Sequence, residues 1–218
     1  MSRGLEVLLD LLFPPRCVFC SSLLEDGEQG ICAHCRRALP YLRGEAARQS
    51  CEGISLAVSP LRYEGEVRES IRRYKFHGRR WYAETYGLLT AEWIRAHLEG
   101  RWDLLTWVPL SPKRKRQRGY DQAWLLASAA GRHLEQTPVE VLCKAKHNPA
   151  QSGLTEAADR RKNVSGVYRC AAPELVRDRR ILLMDDVITT GSTLSECARV
   201  LREAGAADVV CATLARAR

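Results

Sequence analysis

Residues Ile181–Thr193 read I-L-L-M-D-D-V-I-T-T-G-S-T. Ile181 to Met184 are apolar without alternation, as in a strand buried on both faces. Two carboxylates, Asp185 and Asp186, follow, and then Thr189, Thr190, Gly191, Ser192 and Thr193 surround one glycine with four hydroxyls. Beyond them Leu194, Cys197, Ala198, Val200 and Leu201 recur at helical spacing, the pattern stops at Ala204-Gly205, and Asp208–Leu214 reads as another strand. The order is strand, loop, helix, strand.

That order predicts a loop at the carboxyl end of a parallel strand, where open α/β sheets bind ligands. A helix N-terminus offers unpaired N–H groups and positive dipole charge, which suit a phosphate. Gly191 lets the backbone approach closely, and the hydroxyls of Thr189, Thr190, Ser192 and Thr193 can donate to phosphate oxygens. The same phosphate would repel Asp185 and Asp186, which are therefore expected to point elsewhere. Paired acceptors there suit the vicinal hydroxyls of a ribose, so a sugar 5-phosphate fits both halves. A plain N-capped helix accounts for one hydroxyl, not for two acids, four hydroxyls and a glycine.

The stretch resembles the motif by which type I phosphoribosyltransferases bind 5-phosphoribosyl 1-diphosphate (PRPP). The resemblance implies that Asp185 and Asp186 hold the ribose 2- and 3-hydroxyls and are the catalytic candidates. It implies that Thr189, Thr190, Gly191, Ser192 and Thr193 cradle the 5-phosphate.

The chain has 218 residues, 45% hydrophobic and 28% charged, with net charge +8. Such a composition predicts a packed core and excludes disorder, and the charge favours polyanionic partners. No apolar run approaches a membrane span. Leu5–Phe13 is interrupted by Glu6 and Asp10 and reads as a short helix, not a signal peptide, so no membrane insertion and a cytoplasmic location are expected. Nine cysteines in a reducing compartment point to metal ligands or buried thiols.

Four of them, Cys17, Cys20, Cys32 and Cys35, form two C-x-x-C knuckles separated by eleven residues. This spacing matches a closed, structural four-cysteine site for Zn2+, with metal supplying folding energy that so short a loop lacks. His34 reads as a spectator and Cys51 as a thiol outside the set. Residues 36–50 read as a linker or hood segment, and Gly53–Tyr63 as a strand.

Gly65–Leu98 looks helical with a break near Gly78, and it mixes Arg68, Arg72, Arg73, Lys75, Arg79 and Arg80 with Tyr74, Phe76, Trp81 and Tyr82. Basic residues among aromatics can carry a phosphate backbone and stack on bases, although aromatics at helical spacing also serve a core. Trp102–Val108 reads as a central strand, ended by Pro109-Leu110-Ser111-Pro112. Lys113, Arg114, Lys115, Arg116 and Arg118 then form a loop whose like charges repel unless an anion sits among them. Asp121–Leu134 reads as a helix, and Val139–Val167 as a basic, loop-rich segment on the substrate side.

Taken together, the knuckles, Lys75-Phe76-His77-Gly78, V-P-L-S-P-K-R at 108–114, R-G-Y-D-Q at 118–122, Gln151-Ser152-Gly153-Leu154, Arg161 to Val164 and Asp185–Thr193 resemble the ComF family of phosphoribosyltransferase-like competence proteins. One departure is Asp121, where the family pattern has Asn. The resemblance implies an α/β fold of the type I phosphoribosyltransferase class, a mostly parallel sheet flanked by helices, with a small N-terminal zinc ribbon. Ribbon and linker would occupy 1–50, and the transferase-like domain 51–218. It further implies PRPP with Mg2+, and a role with incoming single-stranded DNA alongside a competence helicase or membrane channel. Ser111, Lys113 and Arg118 are the candidates for the diphosphate. Arg72, Lys75, Arg114, Lys115 and Arg116 are the candidates for nucleic acid. Two other readings remain open at this point: a metabolic phosphoribosyltransferase of nucleobase salvage, and a nucleic-acid scaffold with an inactive transferase fold.

Overall fold

Ile181–Met184 lies inside a sheet, as its composition requires. The structure is a computed structural model that describes residues 14–144 and 166–217. In chain order its elements are α1 (Ala33–Ala38), β1 (Arg48–Cys51), β2 (Ile54–Val58), β3 (Leu61–Arg62), α2 (Gly65–Phe76), α3 (Tyr82–Leu98), β4 (Leu104–Trp107), α4 (Pro112–Arg118), α5 (Gln122–Leu134), β5 (Leu142–Lys144), β6 (Tyr168–Cys170), α6 (Pro173–Val176), β7 (Arg180–Ile188), α7 (Ser192–Glu203) and β8 (Asp208–Arg216).

The main sheet has the order β1-β2-β8-β7-β4, and β3 also pairs with β8. β2, β3, β8, β7 and β4 run parallel, and β1 adds antiparallel to β2. β5 and β6 form a separate antiparallel hairpin. Side chains alternate across a strand, so β7 sends Leu182 and Met184 to one core and Ile181 and Leu183 to the other. β8 does the same with Val210 and Ala212 against Val209 and Cys211. Both faces of these strands are covered, which is why neither carries the apolar-polar alternation of a half-exposed strand.

One core packs α2, α3 and α5 against the sheet; the other packs α7 and the hairpin. The helices of the first approach closely: a Cβ on Gly87 of α3 would lie 2.4 Å from the Ala129 Cβ of α5. Val18 and Phe19, from the first cysteine knuckle, are wholly buried in this same core. The ribbon is thus packed onto α2 and α3 as well as tied by its own loops.

Several expectations are corrected. Trp102–Val108 is not a central strand: among the described residues β4 is an edge strand, pairing with β7 alone. Its apolar run reflects faces covered by the two cores, not a place in mid-sheet. The basic loop after it is a helix, α4. Ser111 caps it by accepting from the Arg114 N–H at 3.3 Å, Pro112 sits in its first turn, and Gly119 ends it at φ +78°. Gly53–Tyr63 is two strands, broken at Ser59-Pro60. The linker segment also acquires structure, because Arg48–Cys51 joins the main sheet as β1. The helical stretch 65–98 does divide at Gly78, where φ is +68°. Leu5–Phe13, Gln151–Leu154 and Arg161–Val164 lie outside the described residues.

For the site, the important consequence is that the parallel strands all end at one edge of the sheet. The turn 109–111 after β4, Tyr63 after β3 and the loop 189–191 after β7 therefore meet there.

Candidate ligand pocket and metal centre

β7 continues through both acids to Ile188, so Asp185 and Asp186 point to opposite sides of the strand. Asp186 is buried and its carboxylate meets the Lys75 ammonium at 2.7 Å. Its Oδ2 has no hydrogen-bond partner among the described residues. Burial works against charge on Lys75, but the neighbouring Asp186 outweighs it and raises the lysine pKa. The Asp185 Oδ1 accepts from the Asp186 N–H at 2.8 Å. Burial first, and then the Asp186 charge, push the Asp185 carboxyl up to about 8.

Gly191 caps α7 at φ +77°, and a Cβ there would stand 3.3 Å from the Cys51 sulfur. The positive φ favours glycine, and a Cβ would also crowd the Cys51 sulfur. Ser195 donates the first helical bond to the Gly191 carbonyl at 2.8 Å, leaving the N–H groups of the first turn free of helical partners. The Thr190 and Ser192 hydroxyls bond each other at 2.9 Å. Thr189 and Thr193 face a cavity of about 290 Å³ floored by the acid pair.

The opposite wall of that cavity is cationic. Arg114 and Arg118 of α4 line it, one helical turn apart on one face. Lys75 closes one side, and Lys144 of the hairpin the other, with its Nζ 3.2 Å from the Tyr168 hydroxyl. Burial, helped by the Arg114 charge, lowers the Lys144 pKa. Two carboxylates, four cations and the N-terminal turn of α7 thus share one small space.

The second centre is the cysteine cluster. The sulfurs of Cys17, Cys20, Cys32 and Cys35 all lie within 4.8 Å of one another, and those of Cys20 and Cys32 are 3.6 Å apart. A tetrahedral Zn2+ with Zn–S bonds of about 2.3 Å needs sulfurs about 3.8 Å apart, so the donor set fits. Cys32 caps α1, its sulfur accepting from the Cys35 N–H at 3.4 Å, the contact that orients such a ligand. From α2, Ser70 donates to the Val18 carbonyl and Arg73 to the Phe19 carbonyl, both between Cys17 and Cys20.

The Double zinc ribbon domain model matches residues 8–64 and the Phosphoribosyl transferase domain model residues 121–218. Competence protein F of Haemophilus influenzae is 30% identical, over 93% of this chain and 97% of that protein. The chain belongs to the ComF family. Competence protein ComFC of Streptococcus pneumoniae is 27% identical over 92% of this chain and 87% of its own length. DNA utilization protein YhgH of Escherichia coli O157:H7 is 30% identical over 94% and 100%. The fold is that of the phosphoribosyltransferases with a four-cysteine ribbon at its N-terminal side.

In this ComF chain the basic candidates separate by helix face. Arg114 and Arg118 face the acids, whereas Lys115 lines a groove with Trp107, Tyr120 and Trp124 on the other side of α4. Lys113 and Arg116 are exposed and line neither cavity. Ser111 is buried and its hydroxyl is taken by the helix cap. Lys75 turns inward to Asp186, while Arg72, one turn before, is exposed beside Glu69 at 3.7 Å. Thr190 and Ser192 line a second groove, shared with Cys51, on the far side of the loop from the acids. Tyr63, Gln122, Lys144 and Tyr168 join the pocket without being site candidates from sequence. Gln122 closes the R-G-Y-D-Q stretch, whereas Tyr63 and the hairpin pair Lys144 and Tyr168 lie in segments that no local motif marks.

Proposed function

We propose that the pocket binds PRPP with Mg2+, and that the protein serves the handling of incoming single-stranded DNA. The observation that carries the first part is the buried, unpartnered Oδ2 of Asp186, set beside Asp185 at the head of the T-T-G-S-T loop and faced by four cations. A buried acceptor without a donor is costly unless a ligand supplies one, and a ribose hydroxyl does. On this reading Asp185 and Asp186 take the ribose hydroxyls. The Thr189 and Thr193 hydroxyls and the N–H groups at the start of α7 take the 5-phosphate. Arg114, Arg118 and Lys144 neutralise the diphosphate. Mg2+ would ride mainly on the diphosphate oxygens and contribute further neutralisation.

Calorimetric titration of Mg2+-PRPP into wild type and into Asp185→Ala/Asp186→Ala tests it. Saturable heat with the wild type alone is expected, and no heat with the wild type overturns the reading.

The second part rests on relatives named for competence and DNA utilisation and on exposed aromatics near cations: Phe76, Trp81 and Trp124 are 67%, 48% and 44% exposed. Affinity for an oligo(dT) strand should fall steeply with salt. Charge reversal at Lys115 and Arg116, which lie outside the acid pocket, should weaken it further. Affinity unmoved by salt and by both substitutions removes the DNA role. The salvage alternative would require turnover of a free base with PRPP.

A further inference from the structure

Beside the acid pocket lies a second cleft, of about 390 Å³, lined by Lys75, Phe76, Gly78, Arg114, Gln117 and Arg118. Three of its six residues are cations and none is a carboxylate. It shares Lys75, Arg114 and Arg118 with the acid pocket, so three positive side chains line both spaces. On its rim stands Phe76, the most exposed large apolar side chain of the described residues at 67%. The Arg118 guanidinium lies over the Phe76 ring, 5.1 Å from its centroid.

An exposed phenylalanine has no core function, and its position is fixed by a helix whose next-to-last residue is held inside. Lys75 is anchored on Asp186 at 2.7 Å, so its neighbour Phe76, about 100° further round α2, is presented at the mouth. A flat ring flanked by a guanidinium offers a stacking face to another flat ring. The excess positive charge selects a ligand that is also anionic. Gln117 adds an amide that can both donate and accept.

We infer that the Phe76 cleft is a nucleotide subsite: it stacks a planar base on Phe76 while Arg114 and Arg118 hold a phosphate of the same ligand. The inference deepens the PRPP reading and rests on it, since the ligand would sit directly alongside the sugar-phosphate pocket. It sets a condition on that ligand. A free nucleobase, which lacks the phosphate, should be a poor occupant.

The experiment is calorimetric titration of dAMP, adenine and a 5'-phosphorylated oligo(dA) pentamer into wild type, Phe76→Ala and Phe76→Trp, with Mg2+-PRPP titrated into each as a control. Phe76 is exposed, so neither substitution threatens folding. The expected result is binding of dAMP at least tenfold tighter than adenine, a loss of about tenfold in Phe76→Ala, and recovery in Phe76→Trp. Mg2+-PRPP should bind all three proteins alike, because Phe76 does not line the acid pocket. A pentamer tighter than dAMP identifies the ligand as the end of a strand, and a tighter dAMP identifies a free nucleotide; both support the subsite. Absence of dAMP and pentamer binding, or equal dAMP affinity in wild type and Phe76→Ala, overturns it. If that happens while Mg2+-PRPP still binds, the PRPP reading stands alone. If Mg2+-PRPP binds none of the proteins, it is the PRPP reading that fails.

Discussion

The carboxylate of Asp121 accepts from the backbone N–H of Leu110 at 3.0 Å, reaching back across α4 to the turn after β4. Its other oxygen caps α5, accepting from Ala123 at 3.1 Å and Trp124 at 3.2 Å. One buried side chain therefore holds three donors and ties the turn after β4 to the helix behind it. The single carbonyl oxygen of an Asn here could keep the cap, while its amide would face the Leu110 N–H, donor against donor. Asp121→Ala should cost about 2 kcal/mol, and Asp121→Asn about 1, in urea unfolding. Equal stability of all three proteins would mean that the cap contributes nothing.

Lys75→Met should remove the counter-charge from Asp186 and leave it buried and unpaired. Loss of one member of a buried ion pair costs several kcal/mol; Lys75 keeps some solvent contact, so about 2 kcal/mol is expected here. The stability that the raised Lys75 pKa confers is complete below the ordinary lysine value and fades as pH climbs through the raised one. Denaturation of wild type and variant should therefore differ at pH 7 and converge in strong alkali.

Asp185 gives the opposite end of the pH range a marker. Its carboxyl is raised from 3.8 to about 8, so between those values the folded chain keeps a proton that the unfolded chain has lost. Its contribution is complete below about pH 4, declines as pH rises, and levels off above about pH 8, by at most about 1.4 kcal/mol per pH unit. Asp185→Asn should flatten that decline in chemical unfolding followed from pH 5 to 8. An unchanged slope would place the titration elsewhere.

Gly191→Ala combines a strained positive φ with a Cβ 3.3 Å from the Cys51 sulfur. We expect about 1 kcal/mol of destabilisation and at least tenfold weaker Mg2+-PRPP binding. Adding Cys51→Ala should relieve the crowding but not the backbone strain. Full recovery in the double variant would mean that crowding alone was at fault.

Cys17→Ser or Cys32→Ser should abolish bound zinc by elemental analysis. Because Ser70 and Arg73 of α2 grip the Val18 and Phe19 carbonyls, and the same helix carries Lys75, metal loss should reach beyond the ribbon. We expect Tm to fall by roughly 5 °C or more, about 2 kcal/mol for a chain of this size. A metal-free wild type would remove the zinc assignment.

Much of this architecture is legible because its signals are contiguous. The apolar run, the acids, the hydroxyl loop and the helix pattern follow one another from Ile181 to Leu201, and each signal is local. The C-x-x-C knuckles are local too. Sequence reasoning misleads where charge masks a local signal. Residues 112–118 carry so many like charges that they read as a loop, although Ser111-Pro112 and Gly119 are start and stop signals for a helix. Once that segment is helical, its phase assigns its cations. Arg114 and Arg118 share one face and meet the acids; Lys115 turns to the aromatic groove, and Lys113 lines neither.

The sequence by itself determined the parallel-sheet fold, the acid pair with its hydroxyl loop, and the cysteine set, since each is chemistry carried by neighbours along the chain. Only the tertiary structure decided what faces them. Lys75 comes from α2, Tyr63 follows β3, and Lys144 and Tyr168 are paired in the separate hairpin; the packing of helix and hairpin brings them to the edge where the parallel strands end. The direction of a side chain depends on helix phase and on the packing of distant elements, and neither is written in a local motif.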